Sequence, residues 1–443
     1  MPTRAFKWTA SAIGLAVVMG SAARAQERAV TLTLEDAIAR GLANSARLAE
    51  LQARRDAAEA VESARGAARR PSLALQGGYT RTNHVEEFSI AQPGGPVRVL
   101  YPDIPDNYRA RLDLQWPIYT AGRVDALERA ARAEREAAGE DLAAARADLR
   151  LEVTRAYWAL VTAGETAAVL ARSLASIESH VRDLGNRLEQ GLIPPNDVLS
   201  AEAQLARERL QAIEADHARR IAEADLQRLL GLDAGESIRP QAALEPSAGE
   251  APGPEPPLAD VRSQRAERRA LADRAEAAQA RAEAAGAAAR PQLAIGAGYD
   301  YARPNPRIFP RSGEWEESWD VSLNVSWSLW DGGRNRAERA EATASAAAAR
   351  ARVSDFDRQL AFEVRQRRLE LDSSLAAIPV AQAGVRAASE ARRVVGDRFS
   401  VGVATSTEVL DAETDVIQAE LTLTRALANL RLAEARFRRA TGQ

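Results

Sequence analysis

Two stretches of the chain alternate apolar and polar positions with a period of two. In residues 318–330, Val321, Leu323, Val325, Trp327 and Leu329 fall on one side and Ser322, Asn324, Ser326 and Ser328 on the other. Residues 107–119 do the same, with Leu112, Leu114 and Trp116 opposed to Arg111, Asp113 and Gln115. Such alternation predicts strands with one apolar and one polar face. Each follows a companion strand, at about 71–82 and 291–302. The segments between are very different. Residues 122–190 contain no proline; as one helix they would extend about 100 Å. Leu174, Ile177, Val181, Leu184 and Leu188 recur at spacings of three and four, a heptad seam. The run breaks at Gly191 to Pro195 and restarts with Asn196 or Asp197 as cap, returning to about residue 230.

The pattern occurs twice. Residues 107–123 match 318–334 at an offset of 211, and the offset persists: Val198-Leu199 meets Val409-Leu410, and Gly231 meets Gly442. Upstream, Pro71 to Tyr79 match Pro291 to Tyr299 at an offset of 220, so the first copy carries nine extra residues in its strand-to-strand loop. The second copy has a long helix at 331–401, a tip at 402–406 and a return helix at 405–440, with a kink expected at Pro379. A segment rich in proline and glycine, 233–257, joins the copies and cannot be helical. In each copy the return helix, stacked on the helix before the first strand (about 44–69 in the first), nearly equals the long helix. That places the joining segment near mid-height of a tall helical wall. The domain organisation expected is therefore a leader at 1–25, a first repeat at 26–232, the linker at 233–257 and a second repeat at 258–443.

An open four-stranded sheet is not stable in lipid, where every strand edge must be paired. The short strands, and the concentration of Trp116, Tyr119, Trp315, Trp319, Trp327 and Trp330 around them, favour a membrane barrel completed by several chains. Two chains would supply eight strands around a lumen filled by side chains, and three would supply twelve and a wider pore. The loops at about 83–106 and 303–317 would then lie at the end opposite the helical tips, facing the cell exterior.

Composition narrows the chemistry. Cysteine is absent, so thiolate catalysis, disulfides and a lipid-modified N-terminal cysteine are excluded. The three histidines, His84, His180 and His217, are scattered, and no metal spacing, Ser/His/Asp set or phosphate loop occurs. No metal, no cofactor and no enzymatic activity are expected. The net charge of −3 argues against nucleic acid. Arg4 and Lys7, the apolar run 9–19 and Ala23-Arg24-Ala25 form a secretory leader. No later segment reads as long and apolar enough for a membrane helix.

Residues 187–203 and 398–412 resemble the paired tip signatures of the outer membrane efflux protein family, the TolC-like channels, and 327–334 resembles its strand-to-helix junction. The resemblance spans nearly the whole mature chain. It implies a mostly α fold with a β-barrel contribution: a homotrimer with a twelve-stranded barrel in the lipid of the Gram-negative outer membrane, above a periplasmic coiled-coil tunnel. It also implies a passive conduit that docks through its tips on a periplasmic adaptor bound to an inner-membrane transporter. Under that reading Gly191, Leu192, Gly402 and Val403 form the docking tips. Glu408 and Asp411, with Asp197 matching Glu408 in the first copy, set selectivity at the periplasmic entrance. Trp116, Tyr119, Trp327 and Trp330 form a membrane aromatic girdle. Where some members carry a gating arginine, this chain has Ala404. The alternative is a periplasmic adaptor, which has one helical hairpin among many short strands; two hairpins and few strands speak against it.

Overall fold

The computed structural model describes residues 30–91, 93–233, 235–245 and 256–442. The leader and the centre of the linker lie outside that set. The chain begins with β1 (Val30–Leu32), α1 (Leu34–Asn44) and α2 (Ala46–Ala67). Thr33 opens α1 with a reciprocal cap to Asp36, and the extended backbone of Ser45 ends α1 while its hydroxyl caps α2. Then come β2 (Ser72–Arg81), β3 (Phe88–Ile90), β4 (Arg98–Tyr101), β5 (Asp106–Tyr119), α3 (Arg123–Glu189), α4 (Pro195–Leu230) and β6 (Ile238–Pro240). The second half runs α5 (Leu258–Gln264), α6 (Ala266–Ala287), β7 (Gln292–Arg303), β8 (Glu316–Ser326), α7 (Arg334–Ser400) and α8 (Ser406–Thr441).

The four long strands form one antiparallel sheet in the order β2-β5-β7-β8. The longer strand-to-strand loop of the first copy holds the small β3–β4 hairpin. Each 67-residue helix, α3 and α7, is about 100 Å long. Each is entered through a left-handed glycine, Gly122 or Gly333, which lets the chain turn sharply from strand to helix. Pro379 lies inside the continuous α7.

Upper and lower helices meet end to end. The Asn44 amide donates to the carbonyl of Leu230 at the close of α4, 2.8 Å away. In the second half Arg265 does this work, donating to the carbonyl of Ala440 at the close of α8 (2.9 Å); a cation there also opposes the negative helix end. At this level the linker closes on the first half. β6 pairs in parallel with β1. The buried Tyr157 hydroxyl donates to the Leu32 carbonyl (3.1 Å) and accepts from the Ala242 N–H (3.2 Å). Around it Leu32, Val153, Leu160, Leu226 and Leu230 form the largest apolar core.

Three expectations need correction. The return helix α4 starts at Pro195, and neither Asn196 nor Asp197 caps it: Pro194 occupies the cap position with no side-chain bond. A proline at the first helical position has its backbone angle already set, so the side-chain cap is dispensable. The last strand stops at Ser326 rather than running to Trp330, because its partner β7 begins at Gln292, opposite Ser326. Finally, α3 does contain a stretch long and apolar enough, by length and composition, to cross a membrane. Tyr157, Leu160, Val161, Val169 and Leu170 along that helix are buried against other elements of the fold.

Candidate functional site: sheet faces and helical tips

The sheet has two unlike faces. On one lie Leu73, Leu75, Leu112, Leu114, Ile295, Val321, Leu323 and Val325, placed together by the register of the four strands. Most of these large side chains are exposed, Leu75 by 75% and Val321 by 67%, on a surface that water would penalise. Toward the end bearing the strand-to-strand loops this face carries Tyr79, Tyr108, Tyr299, Tyr301 and Trp319. Tyr79 and Tyr108 pack at 5.0 Å, and Tyr301 stacks on Trp315 at 4.9 Å. At the helical end stand the expected girdle residues. Trp116 and Trp327 are half-exposed and anchor the junction, their indole N–H groups donating to the carbonyls of Arg69 (3.3 Å) and Ala289 (3.1 Å). Tyr119 and Trp330 project outward. The face is thus bounded by aromatics at both ends, the pattern of a membrane interface.

The opposite face is polar, and the structure adds a network there. Asp300, almost fully buried, accepts from Arg109 Nε (2.5 Å) and from Arg111. Arg111 also bonds Asp113 (2.7 Å) and approaches Asp320 (3.4 Å), which pairs with Arg307 (2.7 Å). Gly298 makes this possible, since a Cβ there would collide with the Arg111 guanidinium and the Asp320 carboxylate. The polar positions were visible as alternation. Their pairing was not, because it depends on β5 lying beside β7, a contact across 189 residues of chain.

The far end of the helices is built from two similar turns. Gly191 and Gly402 adopt φ of 72° and 77°. In each, the next residue's N–H returns to the helix: Leu192 to the Arg187 carbonyl (2.9 Å) and Val403 to the Arg398 carbonyl (2.8 Å). Leu192 and Val403 project into solvent. The two tips are neighbours, since Leu184 of α3, Ala201 of α4 and Leu410 of α8 share one buried cluster. His180 lies between them, its Nε2 3.1 Å from the Ser406 hydroxyl and its ring against Phe399. Burial lowers its pKa and favours the neutral ring, although Asp183 and Glu413 oppose this.

The acidic residues take different roles. Glu408 is tied into a capping box, its carboxylate accepting from the Thr405 N–H (3.3 Å) and hydroxyl (3.2 Å), with Arg398 3.8 Å away. Asp411, one turn on, is exposed. Asp197 sits half-buried in the first turn of α4. Ala404 is buried behind the second tip, its N–H bonded to the Arg398 carbonyl (3.3 Å). His84, in the long loop, pairs with Asp103 (2.6 Å), and that bond holds the Asp103 carboxyl below its usual range.

An apolar sheet banded by aromatics, a charged opposite face and helices about 100 Å long make a combination few folds share. The profile of the outer membrane efflux protein family matches residues 37–232 and 258–443. The chain belongs to the outer membrane efflux protein family. The interruption in the match falls on the linker. Protein CyaE of Bordetella pertussis is 27% identical over 427 residues, 92% of this chain and 85% of that protein. A membrane protein from Pseudomonas aeruginosa superposes with a TM-score of 0.79 at 23% identity, over 92% of this chain and 93% of that one. The open state of the MtrE outer membrane channel of Neisseria gonorrhoeae gives 0.77 at 20% identity, over 92% and 88%. This outer membrane efflux channel thus shares its fold with the structures it superposes on.

Proposed function

We propose that this channel is the outer-membrane component of a tripartite efflux or type I secretion system, a passive trimeric conduit from a periplasmic adaptor and inner-membrane transporter to the exterior. The observation that carries the reading is the sheet. Its four strands have an apolar face and two unpaired edges, β2 and β8, which lipid tolerates only in a closed barrel. Three chains close twelve strands around a polar lumen lined by the Arg109–Asp300 network. The helices then form a tunnel below, with Leu192 and Val403 at the tips meeting the adaptor and Asp411 beside the entrance. The conduit performs no chemistry; energy and substrate choice belong to the transporter.

The test is export. Cells lacking this chain, but keeping the adaptor and transporter, should accumulate a fluorescent substrate of that transporter, and a plasmid copy should restore its efflux. Unchanged export in the deletion strain would refute the reading.

A further inference from the structure

The loop between β7 and β8 does not extend away from the sheet. Its first residues fold back over the polar face, the one that carries the Asp300 network. Asn305 is only 2% exposed. Its amide donates to the Glu316 carbonyl (3.0 Å) and to the Ser318 hydroxyl (3.1 Å), and its side-chain oxygen accepts the Arg307 N–H (3.0 Å). Ser318 lies in step with Asp320 and Ser322, on the polar side of β8. Arg307 then pairs with Asp320 (2.7 Å) and donates to the Trp319 carbonyl (3.0 Å). Pro304 is buried as well, and so are Gly298, Asp300 and Ala302, which face the same side of β7. The alternate residues Tyr299 and Tyr301 stay exposed. One side of this strand end is thus covered by the chain's own loop.

The segment also reaches sideways across the sheet. A cavity of about 340 Å³ separates Pro304, Pro306 and Arg311 from Gln76 of β2 and from Arg109 and Arg111 of β5. Gln76 stands two strands away from β7. Arg311 is held in turn by the first loop: its guanidinium donates to the Tyr101 hydroxyl (2.7 Å) and lies over that ring at 4.6 Å. The segment is therefore pinned at both ends, to β8 through Asn305 and Arg307 and to β4 through Arg311. The first loop has no such inward turn at its start, where residues 82–91 are all exposed.

We propose that residues 304–311 form a strap inside the barrel that narrows the outer mouth of the conduit and, while pinned by Asn305 and Arg307, sets the size of solute that passes there. The inference rests on the trimeric barrel proposed above and places a second constriction in it, at the end opposite the helical tips. Twelve strands about 4.8 Å apart and tilted about 40° enclose a barrel about 24 Å across, so its axis is about 12 Å from the wall. Layers of chain stack on a sheet at about 10 Å. One strap from each of three chains therefore leaves a narrow aperture where the bare barrel would be wide. The pins are hydrogen bonds and a partly exposed ion pair, 43% and 31% for Arg307 and Asp320. Such contacts are individually weak, so a bulky substrate on its way out displaces the strap without disturbing the wall.

Because the chain contains no cysteine, introduced thiols report one site at a time. Ser326 is exposed at the helical end of β8, deeper than the strap, and Glu86 is exposed in the first loop. On intact cells a small methanethiosulfonate should modify Ser326→Cys and Glu86→Cys at similar rates. The same reagent carrying a bulky dye should modify Ser326→Cys at least tenfold more slowly than Glu86→Cys. Adding Asn305→Ala and Arg307→Ala should remove most of that difference, and Asp320→Asn, which takes away the partner on the wall, should reduce it. Neither change should alter the rate of the small reagent. A bulky reagent that reaches Ser326→Cys as fast with the pins as without them, or a small one that never reaches it, would overturn the constriction. The placement of the strap is tested within one chain. The contact between the Asn305 and Ser318 side chains brings them within disulfide reach, so Asn305→Cys with Ser318→Cys should close an intrachain disulfide on oxidation, and failure to close would also overturn the strap. A parent protein that forms no trimer on a native gel, yet closes this disulfide, would instead defeat the trimeric reading on which the aperture rests.

Discussion

Two acids of similar appearance in the sequence differ once their neighbours are known. Glu408 holds the start of α8 through Thr405 and lies near Arg398, so much of its charge is used locally. Asp411 is exposed and unencumbered by a cap. In planar bilayers Asp411→Asn should therefore reduce cation preference, and block by multivalent cations from the periplasmic side, more than Glu408→Gln does. Equal effects, or none in intact trimers, would remove Asp411 from the entrance. Glu267 offers a test of stability. Burial pushes its carboxyl up, but hydrogen bonds from Arg439 and Arg265 outweigh that and bring it down from 4.5 to about 2. A depressed carboxyl stabilises the fold above its unfolded value and loses that contribution as pH falls through the folded one. Tryptophan-monitored unfolding should show stability declining between about pH 4.5 and 2, and Glu267→Gln should flatten that part of the profile. The role of Arg265 was not legible in sequence: the first copy has Ser45 at the matching position, and only the meeting of α6 with the end of α8 reveals a buried cation there.

At the scale of elements, alternation and missing prolines sufficed to read the four strands and two hairpins, because those signals are local. Partner-dependent features were not legible. The strand around Trp327 cannot be bounded without knowing what pairs with it. β1 and β6 are three residues each and form only because the linker returns to the N-terminal segment. The β3–β4 hairpin arises in the loop that is longer in the first copy. The tips rest on left-handed glycines, so they can be broken selectively. Proline fixes φ near −65°, far from the 77° of Gly402. Gly402→Pro should leave trimers and their heat resistance intact but reduce efflux to that of the deletion strain. Wild-type efflux from this variant would show that the tip geometry is not needed for docking.

The whole molecule is organised by one incompatibility. A single chain exposes an apolar sheet face, which water penalises, and two bare strand edges, which lipid does not tolerate. The helical walls share the problem in milder form, with Val380, Leu210 and Leu199 uncovered. Closure by identical copies would pair the strand edges and cover the helix flanks, with lipid covering the apolar face, and the number of copies decides what the molecule can do. Two chains would close eight strands around a lumen filled by side chains, whereas three close twelve around an open pore. Native mass spectrometry of the channel, extracted from outer membranes in mild detergent, counts the chains directly. Three copies of the chain in one particle is the expected result; a monodisperse monomer or dimer would contradict it.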